Sequence, residues 1–172
     1  KKTTMAMSNG KVVNFFTGSL VIDGQNQPSQ SLTLKRGVAR FDLNVDVAGS
    51  AAIESLTLRN VAQSGYLFAQ GEVAASPADV ERNDVTAHFD TALSASTPGV
   101  LYVYEQENAG IEVSIEAVID GQHKVLTKTL EGNLKRNTIY TVTVRKNDID
   151  IVVKVGIDDW EPGEDTEIIP QL

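Results

Sequence analysis

The chain's stock of reactive side chains is small: two histidines, twenty-three aspartates and glutamates, one tryptophan and no cysteine. His88 stands between Ala87 and Phe89 at an outward position of an alternating run, and His123 falls in a turn. Neither lies near a serine or an acid in a recognisable catalytic pattern, so both read as solvated residues rather than as a general base. A zinc site needs three or four nitrogen or sulfur ligands at paired spacings, which two separated histidines do not supply. No glycine-rich loop leads from a strand into a helix, so a phosphate cradle is not expected. The sequence therefore assigns no catalytic residue, no cofactor and no metal ligand.

The densest acidic stretch is Asp158, Asp159, Glu161, Glu164, Asp165 and Glu167. Hard oxygen ligands at close spacing can hold calcium, but this order lacks the alternating acids and sixth-position glycine of the twelve-residue calcium loop. A run of like charge reads better as a hydrated acidic tail. With so many carboxylates some pair always looks suggestive, yet the separation that defines a glycosidase pair is a property of the fold. No enzyme is expected. Tyr66, Tyr102, Tyr104 and Trp160 are the side chains that could stack on a sugar, but aromatics make up only 6% of the chain and most should be needed inside. Trp160 is the candidate for ligand stacking; its alternative role is a lid at the end of the fold.

At 172 residues the chain is long enough to bury a core without disulfides or metals. Its 41% hydrophobic and 22% charged content is that of a globular protein. A net charge of -8 speaks against nucleic acid as a partner, because phosphate binding requires clustered lysine and arginine. No stretch approaches the roughly 18 to 20 apolar residues of a membrane-spanning helix. The opening Lys1 to Gly10 is small and polar, with no apolar signal core. It reads as the loose tail of a mature or truncated form from which any export signal has gone.

The residues above must be carried by strands. Tyr140, Val142 and Val144 alternate with Thr141, Thr143 and Arg145; beyond a Lys146-Asn147-Asp148 turn, Ile149, Ile151, Val153, Val155 and Ile157 alternate again. This is a hairpin with one face on a core and the other in water. Lys11 to Ile22 is a first strand pair or a bent strand, followed by turn residues from Asp23 to Ser29. Leu32, Leu34 and Val38 fall at even positions, whereas Ala39, Phe41, Leu43, Val45 and Val47 are odd. One kinked strand with a bulge at Gly37 would absorb that slip. Ile53 to Val61 alternates with Leu56 and Leu58 inward, and Gln70 to Asp84 is a surface loop with at most one helical turn after Pro77. Val85, Ala87 and Phe89 alternate; Val100 to Tyr104 is apolar on both faces and reads as a central strand. Ile111 to Ile119 leads through an Asp120-Gly121 hairpin turn to Val125–Leu130. About eight to ten short, mostly antiparallel strands without a convincing helix predict an all-β sandwich.

Three pieces of the chain, Leu32 to Leu43 (L-T-L-K-R-G-V-A-R-F-D-L), Leu101 to Gln106 (L-Y-V-Y-E-Q) and Leu134 to Val144 (L-K-R-N-T-I-Y-T-V-T-V) with the later Asp159-Trp160, resemble in their order the fimbrillin superfamily of Bacteroidetes. That resemblance covers roughly Leu32 to Trp160. It implies a transthyretin-like β-sandwich, export as a lipoprotein to the cell surface or outer membrane, and a role as a non-catalytic subunit or anchor of fimbriae. The implied partners are other fimbrial subunits, with a host protein or glycan as a further one, and any membrane contact would come only through a removed or absent lipid anchor. Family members commonly carry two sandwich domains over a longer chain. The expected organisation is a tail over 1–10, a sandwich over 11–160 and an acidic tail over 161–172.

Assembly in such a family would join subunits by strand addition, for which an exposed sheet edge offers unpaired N–H and C=O groups. Two segments are candidates for the exchanged strand: the N-terminal one with Val12, Val13 and Phe15, and the C-terminal one with Ile168, Ile169 and Leu172. The plain alternatives are an ordinary edge strand and a frayed terminus. The competing function is a surface carbohydrate-binding or adhesive module using Trp160.

Overall fold

The computed structural model of the chain describes residues 2–20 and 32–155. Among them run twelve strands and no helix: β1 (Thr4–Ala6), β2 (Phe16–Thr17), β3 (Lys35–Arg36), β4 (Val38–Val45), β5 (Ala51–Ala62), β6 (Ser64–Tyr66), β7 (Arg82–Leu93), β8 (Thr97–Tyr104), β9 (Glu112–Ile119), β10 (Gln122–Thr129), β11 (Thr138–Val144) and β12 (Ile149–Val155). Two four-stranded sheets, ordered β10-β9-β5-β7 and β12-β11-β4-β8, face each other, and two short ribbons, β1-β6 and β2-β3, flank them. The chain folds as an all-β sandwich. Every pairing is antiparallel except β4 with β11.

Alternation places the core. Phe41 and Leu43 of β4 and Tyr140, Val142 and Val144 of β11 meet Leu56 and Leu58 of β5 and Val113, Ile115, Ala117 and Ile119 of β9, all buried. In β5 the inward face passes from Ile53 to Leu56 across a bulge at Glu54, where Ile53 pairs with Ala117 but Ser55 with Glu116. One extra residue there restores the parity that the core requires. The β9–β10 hairpin turns on Asp120-Gly121, both at positive φ (50° and 78°), a backbone that matches the twist of two-residue hairpins. The β11–β12 hairpin has the expected turn, closed by the Arg145 N–H donating to the Asp148 carbonyl at 2.9 Å.

Several expectations are corrected. The strand expected to run through Gly37 is two strands: β3 pairs with β2, and β4 starts after the glycine. Leu32 and Leu34 are therefore not inward but 49% and 53% exposed. Lys11 to Phe15 forms no ladder, and no helical turn follows Pro77. Thr4 to Ala6, expected to be loose, pairs with β6. The strand expected to be central, β8, lies at a sheet edge and bonds only to β4 among the described residues. Its second apolar face is covered instead by the N-terminal segment: Met5, Met7, Val12 and Phe15 pack on a small outer cluster of Val38, Tyr104 and Ile139. The same cover buries the outer face of β11 at Ile139, where the alternation alone expects water.

Gly37 has a specific job in that cover. Its N–H donates to the Phe15 carbonyl at 2.9 Å, and a Cβ at this position would fall inside the Phe15 ring. Gly37→Ala should therefore expel the ring and cost about 1–3 kcal/mol, the usual range for overpacking. Since Phe15→Ala removes the obstacle, the double variant should lose clearly less than the sum of the two single variants in urea denaturation. Additive losses would show that the ring does not sit on the glycine.

Candidate functional site

Each sheet has two outer strands, and the two sides of the sandwich treat them differently. On one side β10 and β12 are laced together. Lys128 Nζ lies 2.7 Å from Asp150 Oδ1, and Lys124 Nζ donates to the Lys146 carbonyl at 2.8 Å and to Asn147 Oδ1 at 2.9 Å. Lys146 in turn reaches Asp120 at 3.0 Å. The hydrogen bond from Lys128, then the Ile151 N–H, holds the Asp150 carboxyl below its ordinary pKa; Lys146 and the Ser50 N–H do the same for Asp120. Charged edges of this kind discourage pairing with another chain.

The opposite side is open. A groove of about 740 Å³ runs between β7, β8 and the segment before β2. Its β7 wall is formed by every residue from Asp84 to Phe89 in succession. Side chains on one face of a strand recur every second residue, so an unbroken run of lining residues means that the groove follows the strand's free margin. Val85 and Ala87, paired with the inward Leu58 and Leu56, give it an apolar track, and Thr86 and His88, paired with Thr57 and Ser55, a polar one. Val100, Leu101 and Tyr102 of β8 form the other side.

The third wall is the N-terminal segment, shaped by a tight Asn9-Gly10 turn that Ser8 and Lys11 close with reciprocal backbone bonds of 2.9 and 3.0 Å. It is pinned beyond the turn by one hydroxyl. Tyr104 accepts a hydrogen bond from the Val13 N–H at 2.9 Å and donates to the Ala6 carbonyl at 3.2 Å. Burial pushes the Tyr104 phenol above its ordinary pKa, while the bond from Val13 pulls it down. The net rise keeps it a neutral donor and acceptor.

The structure places the sequence candidates as follows. Val12 and Phe15 are half-buried on the outer cluster, with the Phe15 ring centroid 6.3 Å from that of Tyr104, and Val13 is 42% exposed. Of these three, only Val12 lines the groove. Ile168, Ile169, Leu172 and Trp160, with the acidic run around them, lie outside the described residues, as does the turn from Asp23 to Ser29. Tyr104 is buried and unavailable for stacking, whereas Tyr102 borders the groove. His123 is exposed and 3.2 Å from Glu54, and His88 is exposed at the groove. Among the described residues no three histidines, aspartates or glutamates gather as metal ligands would. Asn9, Asn14 and Asp84 went unnoticed in the sequence; nothing marks them but their distance from one another along the chain.

Residues 70–154, just under half of the chain, match the model of a bacterial Ig-like domain family. No curated protein matches. The chain superposes on the crystal structure of a protein assigned to cell adhesion from Bacteroides uniformis ATCC 8492, with a TM-score of 0.50 and 15% identity over 78% of this chain and 55% of that one. A second protein assigned to cell adhesion, from Bacteroides ovatus ATCC 8483, gives 0.45 and 10%, over 72% and 45%. The tip fimbrial protein Mfa3 from Porphyromonas gingivalis, truncated at its C-terminus, gives 0.45 and 16%, over 70% and 51%. The chain thus spans about half the length of these structures. At such identity the first likeness establishes a shared β-sandwich and nothing finer.

Proposed function

We propose that the chain is a non-catalytic component of cell-surface fimbriae, subunit or anchor, that assembles with like subunits by accepting a strand along β7. The observation that carries this reading is the free margin from Asp84 to Phe89 opening into an apolar-floored groove, on the one side of the sandwich that is not laced by lysines. Six residues of strand span about 20 Å, the length of an ordinary strand. Main-chain bonds along such a margin give affinity, and pockets for alternate side chains give selectivity. The resemblance of the three sequence pieces to fimbrillins, and the β-sandwich shared with a Bacteroides uniformis protein assigned to cell adhesion, support the same role. Donor segments to consider are the two marked in the sequence, with Val12, Val13 and Phe15 or with Ile168, Ile169 and Leu172. The division into a sandwich over 11–160 with a tail on either side is part of this proposal.

The absence of cysteine from the chain makes the test clean. Ala87→Cys introduces a single thiol into the groove, which a bulky maleimide can label after folding. The unlabelled variant should form concentration-dependent polymers in light scattering, and the labelled one should associate at least about tenfold more weakly, a change of about 1.4 kcal/mol, with an unchanged circular dichroism spectrum. Equal association of both forms, or none in either, overturns strand addition at β7. The competing reading, a glycan-binding or adhesive module, draws on Tyr102, Asn9 and Asn14 in the same groove. Glycan-array binding by the monomer without polymers would select it.

A further inference from the structure

The chain has two methionines, and both lie in one short segment: Met5 within β1 and Met7 just beyond it. Thr4, Ala6 and Ser8 are exposed while Met5 and Met7 are half-buried, so alternation turns both thioethers toward the sandwich. There they pack on the outer cluster of Val38, Tyr104 and Ile139, and Met7 also meets the main core. They are the whole apolar grip of this stretch. Apart from the small, outward Ala6, residues 2–11 are otherwise lysine, threonine, serine, asparagine and glycine. The rest of the hold is polar and slight. β1 pairs with β6 over 3 residues, the Met7 N–H donates to the Gln63 carbonyl at 2.8 Å, and the Tyr104 hydroxyl donates to the Ala6 carbonyl at 3.2 Å.

A thioether is an apolar side chain that a mild oxidant makes polar, and enzymes can reverse the change. Its sulfur attacks one oxygen of a peroxide; the O–O bond breaks as the S–O bond forms, and the other oxygen leaves as water after proton transfer. The sulfur gives up two electrons, which the peroxide takes. The new oxygen is a hydrogen-bond acceptor set against Val38, Ile139 and the Tyr104 ring. The only side-chain donor in that cluster, the Tyr104 hydroxyl, already serves the Ala6 carbonyl. A polar group buried without a partner is costly. A short, half-buried strand escapes that cost by leaving.

We infer that Met5 and Met7 form a redox-sensitive clasp: their oxidation to sulfoxides by a peroxide lifts β1 off β6 and the outer cluster, and their reduction lets it return. Lifting β1 takes the Ala6 carbonyl from Tyr104 and leaves the Asn9-Gly10 turn, part of the groove wall, held from the Val13 side. What this does to assembly rests on the strand-addition reading; the release of β1 does not.

Hydrogen exchange on the 172-residue chain, treated with hydrogen peroxide at a dilution where chains do not associate, tests the clasp. No cysteine competes for the oxidant. Mass spectrometry should find an oxygen added to each methionine. Amides from Thr4 to Val13 should then exchange at least about tenfold faster, as expected when a buried group loses its solvation, while those of β5 and β9 keep their protection. Methionine sulfoxide reductases of both epimer specificities, acting together, should restore slow exchange. Met5→Leu with Met7→Leu conserves volume and should fold alike, yet be indifferent to peroxide. Thioethers that resist peroxide in the folded chain, or sulfoxides that leave the exchange of Thr4 to Val13 unchanged, overturn the inference. So does faster exchange spread through β5 and β9, which would mean general unfolding, or an equal response of the leucine variant. A groove that accepts no strand would alter none of these readings, so failure of the clasp and failure of strand addition are told apart.

Discussion

Phe41→Ala should lower the melting temperature by about 10 °C and shift the urea midpoint down without loss of cooperativity. Phe41 is fully buried at the middle of β4, paired with Tyr140 on one side and Leu101 on the other. Its ring stacks on Tyr140 with centroids 5.2 Å apart and planes inclined by 18°. Tyr140 is itself immobilised, since its hydroxyl donates to the Asn133 carbonyl and accepts the Lys135 N–H. It therefore does not collapse readily into a vacated space, and truncation costs lie at about 3–5 kcal/mol when a site keeps its cavity. For a chain of this size each kcal/mol corresponds to about 2–4 °C. That loss is a large share of the roughly 5–15 kcal/mol that holds a domain together. Phe41→Leu, which retains most of the volume, should cost far less. A melting temperature within about 3 °C of wild type for the alanine variant would contradict a core centred on this pair.

The second large effect is expected at Glu105. Its carboxylate meets Arg136 Nε at 3.1 Å and also accepts the Arg136 N–H at 3.2 Å, with both side chains about nine-tenths buried. The remaining guanidinium nitrogens donate to the carbonyls of Leu67 and Tyr66 at 3.0 and 2.9 Å. One arginine thus clamps the end of β8, the end of β6 and the approach to β11. Glu105→Ala leaves a buried cation with only the two carbonyls, and should cost about 3 kcal/mol, the low end of the range for breaking such a pair. The pair itself is not expected to be worth that much. Removing both charges with Glu105→Ala and Arg136→Met should recover at least about 1 kcal/mol relative to the single variant. If the double variant were the less stable by urea denaturation, the uncompensated charge would not be the reason for the loss.

How far the sequence could be read depends on whether a feature is local. The alternation of Ile111 to Ile119, the Asp120-Gly121 turn and the hairpin ending in β12 are written in neighbouring residues and stand as expected, except that Val153, on the expected inward face, is 48% exposed on the edge strand β12. What a strand packs against is not local. Val100 to Tyr104 announces two buried faces but not what buries the second one, so an edge strand under the N-terminal segment looked like a central one. Leu32 and Leu34 have the spacing of a core face, yet they lie beyond Gly37, where the chain has left the sheet. The groove was invisible for the same reason. Val13 and Tyr104, whose bond fixes one wall, stand 91 positions apart, and no composition or period connects them.

The one parallel pairing among the described residues constrains the order in which the molecule can be made. β4 lies against β11, so that Asn44 bonds Thr143 across 99 positions of chain. Closing so long a loop is entropically costly and slow compared with joining adjacent hairpins. During synthesis, β5, β7, β9 and β10 can pair before β11 emerges, but Phe41 must wait for Tyr140. Until β11 arrives, β4 is paired only with β8 and its other margin lacks a partner, and that interval is when a chaperone would be needed most.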